Sequence, residues 1–317
     1  MSSRRAFGST FLAVSLLLAK LDAQSMSRPA VFQANSRLVL VPVTVTDNYG
    51  KTILGLRAQD FNILDDQTPQ RILSFSNEDQ PCSIGVVLDV SGSMRKALSI
   101  AQDGAQAFVR SSNQNDEFML LTVSTQPEAN SDFTTDAADI DRRVGFSRAG
   151  GMTALIDTVY SGLTKMKQAR NPQRALLVFS DGMDNHSRYS KGQLLRTALE
   201  ADVQIYTIIL EGLSDSSSSG ALFRPSMIAK PGDRGPQLQG PELLQSLADK
   251  TGGLHFHARN SAQVREAIAK VGDALRSQYI IGYQPAESLT SGKSHRIHVT
   301  TTVPKVYVHA RTGYYAP

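Results

Sequence analysis

Long apolar runs alternate with amphipathic segments through the middle of the chain, from Cys82 to about Arg276. The apolar runs are "CSIGVVLD", "DEFMLLTVS", "RALLVFSDG" and "VQIYTIIL". Segments with apolar residues at helical spacing separate or follow them. Apolar strands that alternate with helices are typical of parallel sheets covered on both faces. The pattern therefore predicts an α/β fold, with a doubly wound, mostly parallel sheet and helices on both faces.

The segments on either side of this region have a different pattern, with a period of two. "RLVLVPVTVTD" places Val39, Val41, Val43 and Val45 on one face of a strand, and alternation returns from Tyr279 to the end of the sequence. A polar turn around residues 67–69 is expected to join two further strands. We expect the N-terminal and C-terminal segments to pair as one small β module, with the α/β domain inserted between them.

The predicted domain division follows from these changes in pattern. Residues 1–23 are predicted to be a signal peptide, because Arg4 and Arg5 precede the apolar run "FLAVSLLLA" and small Ala23 suits cleavage. Arg4 and Arg5 also give a weak indication of export by the twin-arginine route. The remaining predicted parts are an N-terminal β segment (24–80), an α/β domain (81–277) with a mobile insert rich in Ser, Gly and Pro (211–240), and a C-terminal β segment (278–317).

Charge and cysteine content exclude several functions. The net charge is +4 with both signs spread along the chain, so no nucleic-acid partner is expected. No further apolar run reaches the roughly 18 residues of a membrane span, so we expect no stable membrane insertion after signal removal and a secreted or periplasmic location. Cys82 is the single cysteine, which excludes an internal disulfide and a thiolate metal site.

Oxygen-bearing side chains follow the predicted strands where these strands end. "DVSGSM" supplies Asp89, Ser91 and Ser93, "LLVFSDG" supplies Asp181, and "RAGGMTALID" supplies Thr153. The carboxyl ends of parallel strands meet at one edge of a sheet, where binding sites form. Two carboxylates and three hydroxyls suit a hard cation, namely Mg²⁺, Mn²⁺ or Ca²⁺, and such a cation would remove the repulsion between the carboxylates.

These three motifs, in this order, resemble those of von Willebrand factor A-type (VWA) domains over residues 82–276. "DVSGSM" is similar to their D-x-S-x-S motif, "GGMTAL" to their threonine loop and "FSDG" to their aspartate loop. The resemblance implies a metal-ion-dependent adhesion site (MIDAS) in a non-enzymatic protein-binding domain. Its direct or water-mediated ligands would be Asp89, Ser91, Ser93, Thr153 and Asp181, and a partner's Asp or Glu would take an exchangeable position. The flanking segments resemble secreted acidobacterial proteins of the VWA-related group.

Other interpretations stay open at the level of the sequence. A Mg²⁺-dependent hydrolase would need a general base, for which His186 is the candidate near a site strand. A structural envelope protein could use the cation only to stiffen its loops. The histidines of two strands could form a zinc site if those strands were adjacent; they are His255, His257, His295 and His298. Three polar residues could form an outer shell around the ligands of the cation; they are Asp157, Asp184 and Asn185.

Overall fold

The structure is a computed structural model that describes residues 38–125, 128–129, 132–212, 240–285 and 292–316. The predicted signal peptide and nearly all of the predicted insert at 211–240 lie outside these residues. The described residues belong to one compact unit. The boundaries of the predicted parts remain predictions.

The described elements alternate between strands and helices in the middle of the chain, and at both ends they are strands apart from one short 3₁₀ helix. The strands are β1 (Val39–Thr46), β2 (Phe61–Asp65), β3 (Thr68–Gln70), β4 (Ile72–Ser76), β5 (Cys82–Asp89), β6 (Glu117–Val123), β7 (Glu128–Ala129), β8 (Gln173–Ser180), β9 (Gln204–Leu210), β10 (His255–Ala258), β11 (Tyr279–Tyr283), β12 (Ser294–Thr301), β13 (Tyr307–Ala310) and β14 (Gly313–Tyr315). The helices are α1 (Leu98–Arg110), α2 (Ala137–Phe146), α3 (Leu155–Lys165), α4 (Lys191–Glu200), α5 (Gly240–Thr251) and α6 (Ser261–Arg276), with short 3₁₀ helices at Ala58–Asp60, Gly92–Lys96 and Met166–Gln168.

The central sheet confirms the predicted fold class. Its order is β10-β9-β8-β5-β6-β7, and the five strands from β10 to β6 pair in parallel. The short strand β7 adds an antiparallel edge beside β6. All eight residues of β5 are buried, because helices cover both faces of the sheet.

Successive side chains of the central strands point into two separate cores. Val86 and Leu88 of β5 pack with residues of α1, α2 and α6, whereas Val87 packs on the other face with residues of α3, α4 and α5. This period of two within a continuous apolar run explains why the sequence shows no polar face.

No helix in the described part of the chain has both the length and the apolar character needed to cross a membrane.

The terminal segments pair with each other as predicted, and the β module that they form consists of two antiparallel sheets. One sheet has the order β13-β1-β11-β4 and the other β14-β12-β2-β3. Both contribute to one core, to which β1 contributes its four predicted valines and β2 contributes Phe61 and Ile63. The chain changes sheet between successive strands, as at Arg71 between β3 and β4, so that each sheet covers the apolar face of the other.

A buried ion pair links the last helix of the α/β region to the start of the central sheet. Arg276 at the end of α6 contacts Asp116, with Nη2 to Oδ2 at 2.6 Å, and Asp116 is fully buried. The same carboxylate accepts hydrogen bonds from the backbone N–H groups of Cys82 and Asn113. Since β11 follows α6 directly, this cluster fixes the point at which the chain returns to the β module.

Candidate metal centre

Asp89 is the last residue of β5 and lies fully buried at the carboxyl edge of the central sheet. Its Oδ1 accepts a hydrogen bond from the backbone N–H of Ser91 at 2.9 Å. Its Oδ2 accepts a hydrogen bond from the Ser180 hydroxyl at 2.6 Å. Because Ser180 ends the neighbouring strand β8, this bond joins the first and third of the predicted loops.

Ser91 and Ser93 lie together on the loop that follows β5. The chain leaves the strand in an extended conformation at Ser91 and then forms the 3₁₀ helix at Gly92–Lys96. This turn brings the two hydroxyl oxygens to 3.1 Å from each other. Ser91 is buried and Ser93 is half-buried, so the pair extends from the end of the strand toward the surface.

Backbone hydrogen bonds attach the threonine loop to the Asp89 loop. Gly150 N–H donates to the Val90 carbonyl at 2.7 Å, and Gly92 N–H donates to the Gly151 carbonyl at 3.2 Å. Gly151 has a φ of +80°, which favours glycine, and an added Cβ would lie 2.8 Å from the Thr125 hydroxyl. Thr153 follows this turn and is buried. Gly151 therefore lets the threonine loop pass close to Thr125, just after β6.

Asp181 follows β8 at the same edge and is buried. Its Oδ1 accepts a hydrogen bond from the backbone N–H of Met183 at 3.0 Å. Its Oδ2 is buried and has no hydrogen-bond partner among the described residues. A buried carboxylate oxygen without a partner is costly, so this atom is suited to a ligand.

The two carboxylates act on each other electrostatically. Burial raises the pKa of Asp89 from 3.8 to about 6, although hydrogen bonds from Ser180 and Ser91 partly offset the effect. The negative charge of Asp181 raises the pKa of Asp89 further. Such a site favours a positive charge, because a cation would remove the cost of holding both carboxylates ionised.

The donors gathered here fit a hard divalent cation. The three loops that carry Asp89, Ser91, Ser93, Thr153 and Asp181 are joined by hydrogen bonds, and the side chains supply oxygen donors alone. Ser180, which was not among the predicted ligands, links two of these loops by donating to Asp89 and accepting from the backbone N–H of Gly182. Its position just before Asp181 in "FSDG" is the signal in the sequence, and it indicates a place near the site but not the bond to Asp89.

The nearby polar residues mainly position the loops. Asn185 Oδ1 accepts from the backbone N–H of Thr153, and the Asn185 N–H donates back to the Thr153 carbonyl, each at 3.0 Å. Asp157 instead accepts from the backbone N–H groups of Arg188 and Tyr189 at 2.9 and 3.0 Å. His186 is exposed, and its backbone N–H donates to the Thr153 carbonyl.

Asp184 holds the start of α3. Its Oδ1 accepts from the Ser187 hydroxyl at 2.5 Å and from the backbone N–H of Ile156 at 3.4 Å. Burial raises the pKa of this carboxyl group, and the hydrogen bonds partly offset the effect. Asp184 therefore positions Ser187 and the first turn of α3 beside the candidate metal centre.

The four histidines considered for a zinc site have separate partners. His255 Nδ1 lies 3.2 Å from Asp249, and His257 Nδ1 lies 2.6 Å from Glu211, both at the β10 edge of the central sheet. His295 and His298 lie on β12 in the β module, where His295 contacts two aspartates and His298 is exposed. Within the described residues the four histidines form no common cluster of ligand atoms.

Residues 84–183 match the family model described as von Willebrand factor type A domain. This match confirms that the chain carries a VWA domain, and it includes all five predicted ligands.

A curated relative from Borreliella burgdorferi, described as an uncharacterized protein, is 24% identical over 201 residues. The alignment covers 58% of this chain and 56% of that relative, so the chain spans about half of the relative's length. The resemblance to the acidobacterial group stays a prediction.

Several solved structures are similar at low identity. They include an aerotolerance-related membrane protein from Bacteroides fragilis (14% identical, 61% of this chain and 98% of that chain, TM-score 0.46), the vWF domain of the type V pili tip protein Mfa5 from Porphyromonas gingivalis (13%, 62% and 95%, 0.47) and a von Willebrand factor type A protein from Catenulispora acidiphila (11%, 90% and 75%, 0.47).

Proposed function

We propose that this protein is a non-enzymatic adhesion module that holds a divalent cation at the carboxyl edge of its central sheet and binds an acidic side chain of a protein partner. Asp89, Ser91, Ser93, Thr153 and Asp181 would hold the cation, directly or through water, and Mg²⁺, Mn²⁺ and Ca²⁺ suit these donors. The observation that carries the proposal is the unpartnered, buried Oδ2 of Asp181 beside the buried carboxylate of Asp89.

The bound cation would supply one positive centre with an exchangeable coordination position, to which a partner's Asp or Glu could bind. Without the cation, two carboxylates at this edge would repel an acidic partner. The loops determine how the site faces the partner, because hydrogen bonds hold them to β5 and β8. A prearranged site of this kind loses little conformational freedom when it binds.

Exposed methionines border the candidate metal centre and favour a protein partner. Met152 directly precedes Thr153 and is 53% exposed, and Met183 follows two residues after Asp181 and is 41% exposed. Apolar, adaptable side chains beside a charged centre are suited to burial under a partner's surface. The cation would then give direction to the contact, and the methionines would add buried apolar area.

Metal uptake is the first test. We expect calorimetry of the purified chain to detect binding of Mg²⁺ or Mn²⁺, and we expect Asp181→Asn to weaken it at least tenfold. The asparagine keeps the shape and the acceptor for Met183 N–H but removes the charge. Asp273→Asn, an exposed position on α6, is the matched control and should bind the cation as the parent does. Absence of uptake of all three cations would refute the proposed site.

Selection of displayed peptides against the Mn²⁺-loaded protein tests the partner chemistry. We expect selected peptides to contain an Asp or Glu that cannot be replaced by Asn or Gln, and to dissociate in chelator. Asp89→Ala should abolish this binding while the circular dichroism spectrum stays unchanged. Peptides that bind equally well in chelator would contradict the proposed contact, and a cation that only raises the melting temperature would indicate a structural role.

We also propose that the protein works outside the cytoplasm, in the periplasm or beyond the cell. The support is the N-terminal sequence of residues 1–23, with two arginines before an apolar run. N-terminal sequencing of the protein recovered from its native cells should begin after Ala23. A cytoplasmic fraction that retains Met1 on most of the protein would contradict this location.

A further inference from the structure

A second group of potential metal ligands lies in the β module, on other elements than those of the candidate metal centre. It consists of Asp65 at the end of β2, Asp66 in the turn that follows, and His295 on β12. One ligand atom from each lies within 4.8 Å of the others. The His295 Nδ1 atom is 3.3 Å from Asp65 Oδ1 and 3.1 Å from Asp66 Oδ2.

The fold holds these three side chains in place through the pairing of β2 with β12. Asp66 and Gln67 have φ values of +46° and +70° and form a two-residue hairpin between Asp65 and Thr68. The backbone of Asp66 donates to the Arg296 carbonyl, and its Oδ1 accepts from the Arg296 N–H, both at 2.9 Å. These two bonds leave Asp66 Oδ2 beside the ring of His295.

The buried carboxylate of Asp65 is anchored through one oxygen, and its other oxygen has no hydrogen-bond partner in the part of the chain that the structure describes. Its Oδ2 accepts hydrogen bonds from the hydroxyls of Tyr283 and Tyr314 at 2.8 and 2.9 Å. Its Oδ1 is buried and lies 3.3 Å from His295 Nδ1 without the alignment of a hydrogen bond, so it makes no hydrogen bond within the described residues. Asp65 as a residue is only 5% exposed. An oxygen that is this deeply buried, makes no hydrogen bond to the described residues and lies close to two further potential metal ligands indicates a site for a bound cation.

We propose that Asp65, Asp66 and His295 bind a divalent transition-metal cation of the Zn²⁺ class. Ligand atoms around tetrahedral zinc at about 2.0–2.1 Å are about 3.3 Å apart, which agrees with the two distances to Nδ1. An imidazole nitrogen with two carboxylates suits Zn²⁺ better than the all-oxygen preference of Mg²⁺. The two tyrosine hydroxyls orient Asp65 as outer hydrogen-bond donors do in metal sites.

The surroundings leave room for the remaining ligand and access for the cation. A cleft of about 190 Å³ opens beside the three side chains, and Thr68 and Gln70 contribute to its wall. That volume holds several water molecules, so water can complete the coordination. Bound metal would tie the β2–β3 hairpin to β12, and hence an N-terminal segment to a C-terminal one. It would act in the β module whether or not a cation occupies the sheet edge.

The test uses the full chain carrying Asp89→Asn and Asp181→Asn, so that the candidate metal centre cannot contribute. We expect calorimetry to show one Zn²⁺ per chain and Co²⁺ to give visible absorption bands of a nitrogen-and-oxygen site. Asp66→Asn should lower the Zn²⁺ affinity at least tenfold. It removes the charged oxygen but keeps the acceptor for Arg296 and tolerates positive φ. His295→Gln should have a comparable effect, and His298→Ala, an exposed histidine of the same strand, should have none.

Zn²⁺ should also raise the melting temperature of the double variant but not that of its Asp66→Asn derivative. Circular dichroism would establish that each variant is folded before binding is compared. Absence of Zn²⁺ and Co²⁺ uptake by the folded double variant would overturn the proposal. Uptake that Asp66→Asn and His295→Gln leave unchanged would overturn it as well, because the cation would then lie elsewhere.

Discussion

The metal-free protein should lose stability as the pH rises through the acidic range, because Asp89 is buried where an ionised carboxylate is poorly solvated. Its pKa is raised from 3.8 to about 6 in the folded chain, mainly by burial. Below pH 3.8 the group is protonated in both states and imposes no cost. Between 3.8 and about 6 the unfolded chain releases the proton first, so unfolding becomes easier; above about 6 the cost is constant.

The expected size of this effect follows from the shift. One pKa unit corresponds to about 1.36 kcal/mol, so a rise of roughly two units makes the metal-free fold about 3 kcal/mol less stable at neutral pH than it would be with a neutral Asp89. This is a large part of the stability of an ordinary domain. A cation at the sheet edge would remove most of the cost and add its own binding free energy.

Urea unfolding in chelator at about pH 4.5 and about pH 7.5 measures the effect. Asp89→Asn keeps the acceptor for the Ser91 N–H, and the Ser180 hydroxyl can accept from the new amide. We therefore expect this variant to be more stable than the parent at the higher pH, by up to about 3 kcal/mol, and to show a flatter pH dependence. Asp273→Asn, exposed on α6, should follow the parent.

Added Mg²⁺ should reverse the order of the two proteins at neutral pH, since the parent gains the cation and Asp89→Asn does not. Parallel pH curves for parent and variant in chelator would refute the reasoning about burial. Equal stabilisation of both proteins by Mg²⁺ would show that Asp89 does not contribute to its binding.

Three further changes test other parts of the structure. Gly240→Ala would place a Cβ in steric conflict with the Gly182 carbonyl oxygen, so we expect urea unfolding to show a loss of about 1–3 kcal/mol and calorimetry to show weaker Mg²⁺ binding. Arg276→Met would leave the buried charge of Asp116 without its cation and should cost about 3–5 kcal/mol, measured likewise; an unchanged midpoint would contradict this. Deletion of 279–317 removes both neighbours of β1 and should lower the melting temperature sharply, whereas unchanged melting would contradict the observed pairing.

The parallel sheet was predictable because burial on both faces leaves a clear trace in the sequence. Every strand from β5 to β10 that carries a long apolar run lies in the central sheet, and β1 buries the four valines predicted to share a face. The division of the β module into two sheets was not predictable. Alternation shows that a strand has one buried face, but it does not identify which distant strand pairs with it.

The candidate metal centre was predictable as a set of residues but not as a network. The motifs lie at strand ends, and parallel strands bring those ends together, so the five predicted oxygen-bearing residues could be grouped from spacing alone. Ser180 and Asn185 act through hydrogen bonds to Asp89 and to the backbone of Thr153, respectively. Serine and asparagine are also common in ordinary turns, so their sequence positions do not distinguish these roles.

The group formed by Asp65, Asp66 and His295 could not be recognised in the sequence. The sequence predicts a turn around residues 67–69, whereas the structure has it at Asp66 and Gln67. Side chains alternate between the faces of a strand, so Phe61, Ile63 and Asp65 share the buried face of β2, but alternation does not identify what Asp65 meets there. Two adjacent aspartates at the end of a strand resemble ordinary polar residues beside a turn, and a histidine more than two hundred residues later has no evident relation to them. The pairing of β2 with β12 supplies that relation, which is why the second metal site could be inferred only from the structure.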